Sequence, residues 1–375
     1  MNNNLSQLKE ERKLLVHKLE NEINSAPSYK EKFIIIYKIL LKSQFYYAKY
    51  IDVNIFDENY FQELLKKFED KNITNDIKFY YFIKEKLIKP LHSGHLGIKF
   101  ENDYLNNFLI LYRKFQQQHE NEANDKILNT EIERLLSIEN LDKEKFQDFL
   151  KNSVVSPIIK PKKPNNQENL TIEYLDDTVI IKIKSFSNKF LESDAYKMKQ
   201  LETEMQLHDY NNVIIDIRGN DGGTDQYFKL LSFLSNQNIT HELSWYNLFN
   251  DKVEKDSFTA ISKGTNKEYN KFLLVNNKCF SGADSLTRLC KKSHFAKIIG
   301  ENTRGEGYGL TPLFLTINTK FPLMLRFTVE APINELEQID YKNEYNVTPD
   351  ISCPGNNALN VALDIIKKKQ NTKQR

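Results

Sequence analysis

A chain of 375 residues has room for two domains, or for one large domain with an extension. Its 53 basic and 51 acidic residues leave a formal net charge of +2, which argues against a global nucleic-acid field. The three cysteines, Cys279, Cys290 and Cys353, contain no C-x-x-C pair, so neither a zinc site nor a disulfide framework is indicated.

The N-terminal stretch MNNNLSQLKEERKLL lacks the apolar core of a signal peptide. The longest apolar stretch, Phe33 to Leu41, includes Lys38 and is too short to span a bilayer. These two features set the expectation of a cytoplasmic protein with no membrane span. Leu5, Leu8, Leu14, Leu15 and Leu19 recur at helical spacing. Phe33, Ile36, Tyr37, Ile39 and Leu40 do the same, and so do Phe61, Leu64, Leu65 and Phe68. Residues 1–90 are therefore expected to form an N-terminal helical domain. LHSGHLGI, residues 91–98, breaks that rhythm with two glycines. A charged helical segment is expected from about Tyr104 to Lys151, followed by the proline- and asparagine-rich linker IIKPKKPNNQENL. The lysines of that linker read as solvated rather than as a phosphate-binding patch. Residues 91–165 thus hold the histidine-containing turn, a helical segment and a linker.

From residue 166 to 375 the period changes. Thr178 to Ile183 is strand-like, Phe190 to Leu207 helical, and Val213 to Ile217 a near-continuous apolar run typical of a strand covered on both faces. Tyr227 to Leu234 reads as a helix, Phe272 to Val275 as a strand, Ser281 to Lys291 as a helix and Ala296 to Ile299 as a strand. Strands alternating with helices predict an α/β layer with parallel pairs. Phe314 to Ile317 and Leu323 to Val329 are expected to form a β-hairpin.

Two stretches carry candidate chemistry. VIIDIRGNDGG, Val213 to Gly223, runs a buried strand into a loop with three glycines. Glycine lets backbone N–H groups approach an anion, yet the spacing matches neither G-x-G-x-x-G nor Gly-Lys-Ser/Thr, so nucleotide binding fits poorly. NNKCFSGADSLTRL places Ser281 between a strand and a helix. A serine there serves either as an ordinary N-cap or as a nucleophile beside free helix N–H groups. Both readings stand on the residues alone.

Taken in order, VIIDIRGNDGG, FLLVNNKCFSGADSL, IIGENTRGEGYG and NVTPDI resemble the C-terminal processing (tail-specific) serine peptidase family. The family pattern is D-x-R-x-N-x-G-G, then S-x-x-E, then G-E-x-T-x-G, then a Val/Ile-x-Pro-Asp-Ile ending. Its elements fall on Asp216, Arg218, Asn220, Gly222 and Gly223; on Ser281 with Asp284 for the glutamate; on Gly300, Glu301, Thr303 and Gly305; and on Val347, Pro349, Asp350 and Ile351. The resemblance spans roughly residues 90–355 and is specific from about 172 onward. It implies a crotonase-like α/β core, a peptide or protein substrate, and no metal or cofactor. It puts Ser281 at the nucleophile, and the oxyanion hole at the N–H of Gly282 with that of Gly222 or Gly223.

For the base the family has two solutions. One branch uses a lysine in G-K-G, where this chain has Gly305-Glu306-Gly307. The tricorn-like branch uses a histidine from an upstream D-x-H segment, which Ser93-Gly94-His95 resembles with Ser93 for the aspartate. The resemblance therefore implies His95 as the base, with His92 as its neighbour and competitor. The orienting glutamate of that branch aligns with Asn343, with Glu344 beside it, so Glu344 is the expected third group. Glu301 and Glu306 are further carboxylates whose plain reading is solvated surface. No PDZ-like carboxylate loop stands in residues 100–165. The rival to an enzyme is a peptide- or ligand-binding protein on the same fold.

Overall fold

The computed structural model describes residues 2–47, 58–91, 95–101, 168–186, 194–263, 267–307, 313–333, 336 and 346–373. In chain order, helices α1 (Asn2–Ser25), α2 (Tyr29–Tyr47), α3 (Glu58–Asp70) and α4 (Asp76–Ile83) precede strand β1 (Gly97–Phe100). Strands β2 (Leu170–Leu175) and β3 (Thr178–Ile183), helix α5 (Ala195–Leu207), strand β4 (Asn212–Asp216) and helix α6 (Tyr227–Leu234) follow. Then come β5 (Ile239–Asn247), β6 (Lys252–Ala260), β7 (Asn270–Val275), α7 (Gly282–Ser293) and β8 (Lys297–Gly300). Strands β9 (Leu313–Ile317), β10 (Leu323–Phe327), β11 (Glu330–Pro332) and β12 (Ile351–Ser352) lead to helix α8 (Ala358–Lys373). The fold is mixed α/β, a central sheet with helices.

The central sheet has six strands in the order β12-β8-β7-β4-β3-β2. Its β3, β4, β7, β8 and β12 pairings are parallel, and β2 joins β3 antiparallel at the edge. The near-continuous apolar runs are explained by burial on both faces. Val179, Ile181, Val213, Ile215, Leu273, Val275 and Ile298 pack with residues of α5, α6 and α7, such as Leu201, Leu230 and Leu286. The alternate residues Ile180, Ile214, Phe272, Leu274 and Ile299 pack with Ala358, Ala362 and Ile366 of α8. Strand order rises steadily with sequence from β2 to β12. Right-handed crossovers then place all three connecting helices on one face, leaving the other to α8. Because β4, β7 and β8 run in parallel, the loops that follow them emerge at one edge of the sheet, where open α/β sheets bind ligands.

The chain folds into two compact units that interleave along the sequence. The unit just described comprises Lys162–Trp245, Glu254–Gly309 and Pro332–Arg375. The other comprises Met1–Pro161, Tyr246–Val253 and Leu310–Ala331. In it Phe33 meets Phe68 at 5.1 Å and Phe82 at 5.5 Å between ring centroids, which ties α2, α3 and α4 together. The hairpin β9–β10 belongs here, and β1 adds to it antiparallel, Gly97 opposite Arg326. Helix α1 covers the open edge of β9: the Thr316 N–H donates to Glu20 Oε1 at 2.7 Å, and Asn24 Nδ2 donates to the Thr316 carbonyl at 3.1 Å. Those side chains satisfy backbone groups that an edge strand otherwise exposes.

Most expected elements lie within a few residues of their reading. Helix α5 is described over Ala195–Leu207, and residues 190–193 of its expected span lie outside the described residues. Strand β5 has no counterpart among the expected elements. Its inward positions include His241 and Asn247 as well as Ile239, Leu243 and Trp245, and the polar pair masks the alternation. The segment from Tyr104 to Lys151 and most of the linker lie outside the described residues.

Candidate active site

The turn after β7 carries Ser281 with φ 53° and ψ −120°. A non-glycine residue rarely adopts positive φ, and here the conformation is not the extended one of an ordinary N-cap. Ser281 precedes α7, but its side chain makes no capping hydrogen bond to the helix. The backbone is held on both sides. The Ser281 N–H donates to the Gly305 carbonyl at 3.1 Å, and its carbonyl accepts the Ser285 N–H at 2.9 Å. The serine thus sits on a sharp strand-to-helix turn, with the positive end of the helix dipole behind it.

The glycine loop after β4 lies directly against this turn. The Phe280 N–H donates to the Asn220 carbonyl at 3.2 Å. Gly222 has φ 97°, and a Cβ there would stand 2.6 Å from the Phe280 carbonyl oxygen and 2.7 Å from the Gly282 nitrogen. The Gly222 N–H is engaged, since it donates to Asn220 Oδ1 at 2.8 Å. The N–H groups of Gly223 and Gly282 have no acceptor among the described residues. They are close: a Cβ on Gly282 would lie 3.4 Å from the Gly223 nitrogen.

Asp284, in the first turn of α7, is fully buried. Its Oδ2 accepts from Arg288 Nε at 2.6 Å and from the Gly307 N–H at 3.1 Å, and its Oδ1 accepts from the Thr303 hydroxyl. Thr303 in turn takes the Val347 N–H on Oγ1 at 2.7 Å and donates its own N–H to the Val347 carbonyl at 3.2 Å. Ser285 Oγ donates to the Gly307 carbonyl at 2.5 Å. The four motifs stand in a row in the sequence, and these bonds join them into one structure. Around it, Arg218 makes a bidentate pair with Asp216 at 2.8 and 2.7 Å and donates to the Gly355 carbonyl at 2.7 Å. Glu301 accepts the Gly355 N–H at 3.0 Å and the Asn277 N–H at 3.3 Å, which holds its carboxyl below the usual range. It acts as a loop staple.

Ser281, Gly282, Gly222 and Gly223 therefore come together. Glu306 is not solvated surface: it is 2% exposed and adopts φ 60° between two glycines whose backbones bond to the serine turn. His95 is buried, two residues ahead of β1, in the other unit. His92, Ser93, Gly94, Asn343 and Glu344 lie outside the described residues. The sequence assigns no separate part to Asn220 and Thr303, although both stand in its motifs. Their partners are distant in the chain, and no local signal names them.

Two further groups have settled protonation states. Burial pushes the Cys279 thiol, two residues before Ser281, up to about 12. His241 is pushed down to about 4, first by burial and then by the charges of Lys292 and Arg288. Among the described residues, no group of three or more His, Cys, Asp or Glu side chains is placed to hold a metal ion, and no helix is long and apolar enough to cross a membrane.

Residues 177–353 match the model for "Peptidase family S41". That stretch, just under half of the chain, is similar to peptidase family S41. By that match it is a serine-type peptidase, a hydrolase whose substrates are peptides or proteins. Solved structures share the fold. A candidate peptidase from Parabacteroides merdae ATCC 43184 is 15% identical with a TM-score of 0.54, over 91% of this chain and 97% of its own. A lipoprotein from Streptococcus agalactiae is 15% identical with a TM-score of 0.50, over 92% and 97%. No curated protein matches this chain.

Proposed function

We propose that this peptidase hydrolyses peptide bonds on a crotonase-like core with Ser281 as nucleophile, His95 as general base, and the N–H groups of Gly223 and Gly282 as the oxyanion hole. The observation that carries the reading is the backbone of Ser281. It is a strained non-glycine turn at a helix start, its hydroxyl makes no capping bond, and two N–H groups with no acceptor among the described residues stand beside it. Gly222 drops out of the oxyanion pair because its N–H already serves Asn220.

The chemistry follows from these parts. His95 takes the proton of the Ser281 hydroxyl as its oxygen bonds to the scissile carbonyl carbon. The carbonyl π electrons move to oxygen, and the two N–H groups donate hydrogen bonds to the oxyanion. The intermediate collapses, the C–N bond breaks, and the imidazolium returns the proton to the departing amine. Water then repeats the sequence on the acyl-serine and releases the acid. A neutral imidazole is needed, because Glu306 at the other branch's lysine position is a poor base for a serine hydroxyl. Glu344 is the carboxylate proposed to orient the ring.

The test is a panel of three variants. Ser281→Ala should abolish peptide turnover and labelling by a fluorophosphonate. His95→Ala should lose about a thousandfold or more in kcat, and His92→Ala far less. Reversed effects of the two histidine variants would move the base to His92. Tight peptide binding with no labelling of Ser281 in the wild type would favour a binding protein over an active peptidase.

A further inference from the structure

We propose that Asp284 is the positioning residue of this site, acting through the Thr303 hydroxyl to lock the nucleophile turn, the 303–307 loop and the Val347 segment in one register. The inference rests on the proposed role of Ser281 and adds a residue that touches neither substrate nor reacting atoms. Its basis is the geometry of a fully buried carboxylate one turn from the serine.

A buried charge is costly unless donors surround it. Asp284 has three, from three different places: Arg288 on its own helix, Gly307 in the loop after β8, and Thr303 at the start of that loop. Each bond fixes something the serine turn depends on. The Gly307 N–H and the Thr303 hydroxyl pin both ends of the stretch that contains Gly305, and Gly305 supplies the carbonyl that accepts the Ser281 N–H. That acceptor helps hold the Ser281 backbone in a conformation it would not adopt alone, and so aims the neighbouring Gly282 N–H. Thr303 carries the constraint further. Its hydroxyl donates to Asp284 and accepts the Val347 N–H, so one oxygen links the helix to the segment that begins just beyond Glu344.

The fit is tight. A Cβ on Gly307 would lie 2.5 Å from Asp284 Oδ2, so the loop approaches the carboxylate as closely as glycine alone permits. The family pattern carries a glutamate at this position. The shorter aspartate, with a glycine pressed against it, is how this chain closes the loop onto the helix.

Thr303→Val keeps the shape of Thr303 and leaves the Arg288–Asp284 pair in place, but removes the hydroxyl. Asp284→Asn removes the charge and turns one oxygen into a donor facing other donors. Both should lower kcat by about 10²-fold, the scale expected when reacting groups are misplaced by about 1 Å. KM should stay within about twofold, and fluorophosphonate labelling of Ser281 should slow in step with kcat. Hydrogen exchange at the Val347 amide should quicken in Thr303→Val. Thr303→Ser, which restores the hydroxyl without the methyl, should bring kcat back to within about threefold of wild type. Folded Asp284→Asn and Thr303→Val proteins with wild-type kcat and labelling rate would overturn the proposal. So would a Thr303→Ser variant as slow as Thr303→Val, because packing of the methyl would then be responsible. Ser281→Ala run alongside separates the two levels: turnover retained there overturns the serine mechanism itself and the positioning role with it.

Discussion

A Cβ on Gly222 would stand 2.9 Å from the Cβ of Ser281. The glycine loop and the Ser281 turn, 59 residues apart in sequence, thus approach more closely than a side chain at Gly222 would allow. Gly222 also has φ 97°, a conformation that an L side chain rarely adopts. Gly222→Ala should cost at least about 2 kcal/mol in urea denaturation from strain and overlap together. In whatever folded protein remains, kcat should fall by about 10²-fold or more. A stable, fully active Gly222→Ala enzyme would mean that the two loops do not meet as described.

Ser281 itself bears strain, which predicts an unusual order of stabilities. Ser281→Gly should be more stable than Ser281→Ala by about 1 kcal/mol, because glycine tolerates positive φ and alanine does not. Both variants should be inactive. Thermal or urea melts of the pair decide this, and equal stabilities would argue for a relaxed turn.

The buried His241 makes the protein acid-sensitive. Its pKa is lowered from 6.5 to about 4 in the folded state, first by burial and then by Lys292 and Arg288. Between those values the unfolded chain binds the proton and the folded chain does not. The stability contributed is therefore full above about pH 6.5 and is lost as pH falls toward 4, on the order of 3 kcal/mol over the whole window. Urea midpoints measured from pH 7.5 to 4.5 should decline in the wild type and flatten in His241→Phe. Parallel slopes in the two proteins would assign the acid sensitivity elsewhere.

Cys279 lies two residues before Ser281 but should take no part in the chemistry. Burial holds its thiol up to about 12, which leaves almost no thiolate at neutral pH. Iodoacetamide should leave activity intact and label the partly exposed Cys353 first, while a fluorophosphonate inactivates the enzyme. Inactivation by iodoacetamide with adduct on Cys279 would show that the turn opens readily in solution.

Strands β3, β4 and β7 are legible in the sequence because a strand covered on both faces must be apolar at nearly every position, and few other structures ask for that. Strand β5 is not, because His241 and Asn247 point inward and break the alternation. The hairpin β9–β10 is legible as a local object. That β1 joins it and α1 covers its edge depends on pairings across more than two hundred residues, for which the sequence carries no nearby signal.

For the site, the sequence by itself determined the residue types and their order: a glycine loop, a serine before a helix, a Gly-Glu-x-Thr loop and a Pro-Asp ending. These are local patterns, set by what each turn sterically demands. It left open whether Ser281 caps the helix or attacks a substrate, since both uses call for a serine in the same place. The tertiary structure decided that the Ser281 hydroxyl does not cap the helix and that its backbone is strained. It also decided that the Gly222 N–H serves Asn220 while that of Gly223 has no acceptor among the described residues, and that Asp284 and Thr303 bind the motifs together. The physical reason is that hydrogen-bond partners are assigned by strand register. Once β4, β7 and β8 align in parallel, their following loops share one edge of the sheet, and which donor meets which acceptor there is settled by distances that no stretch of sequence encodes.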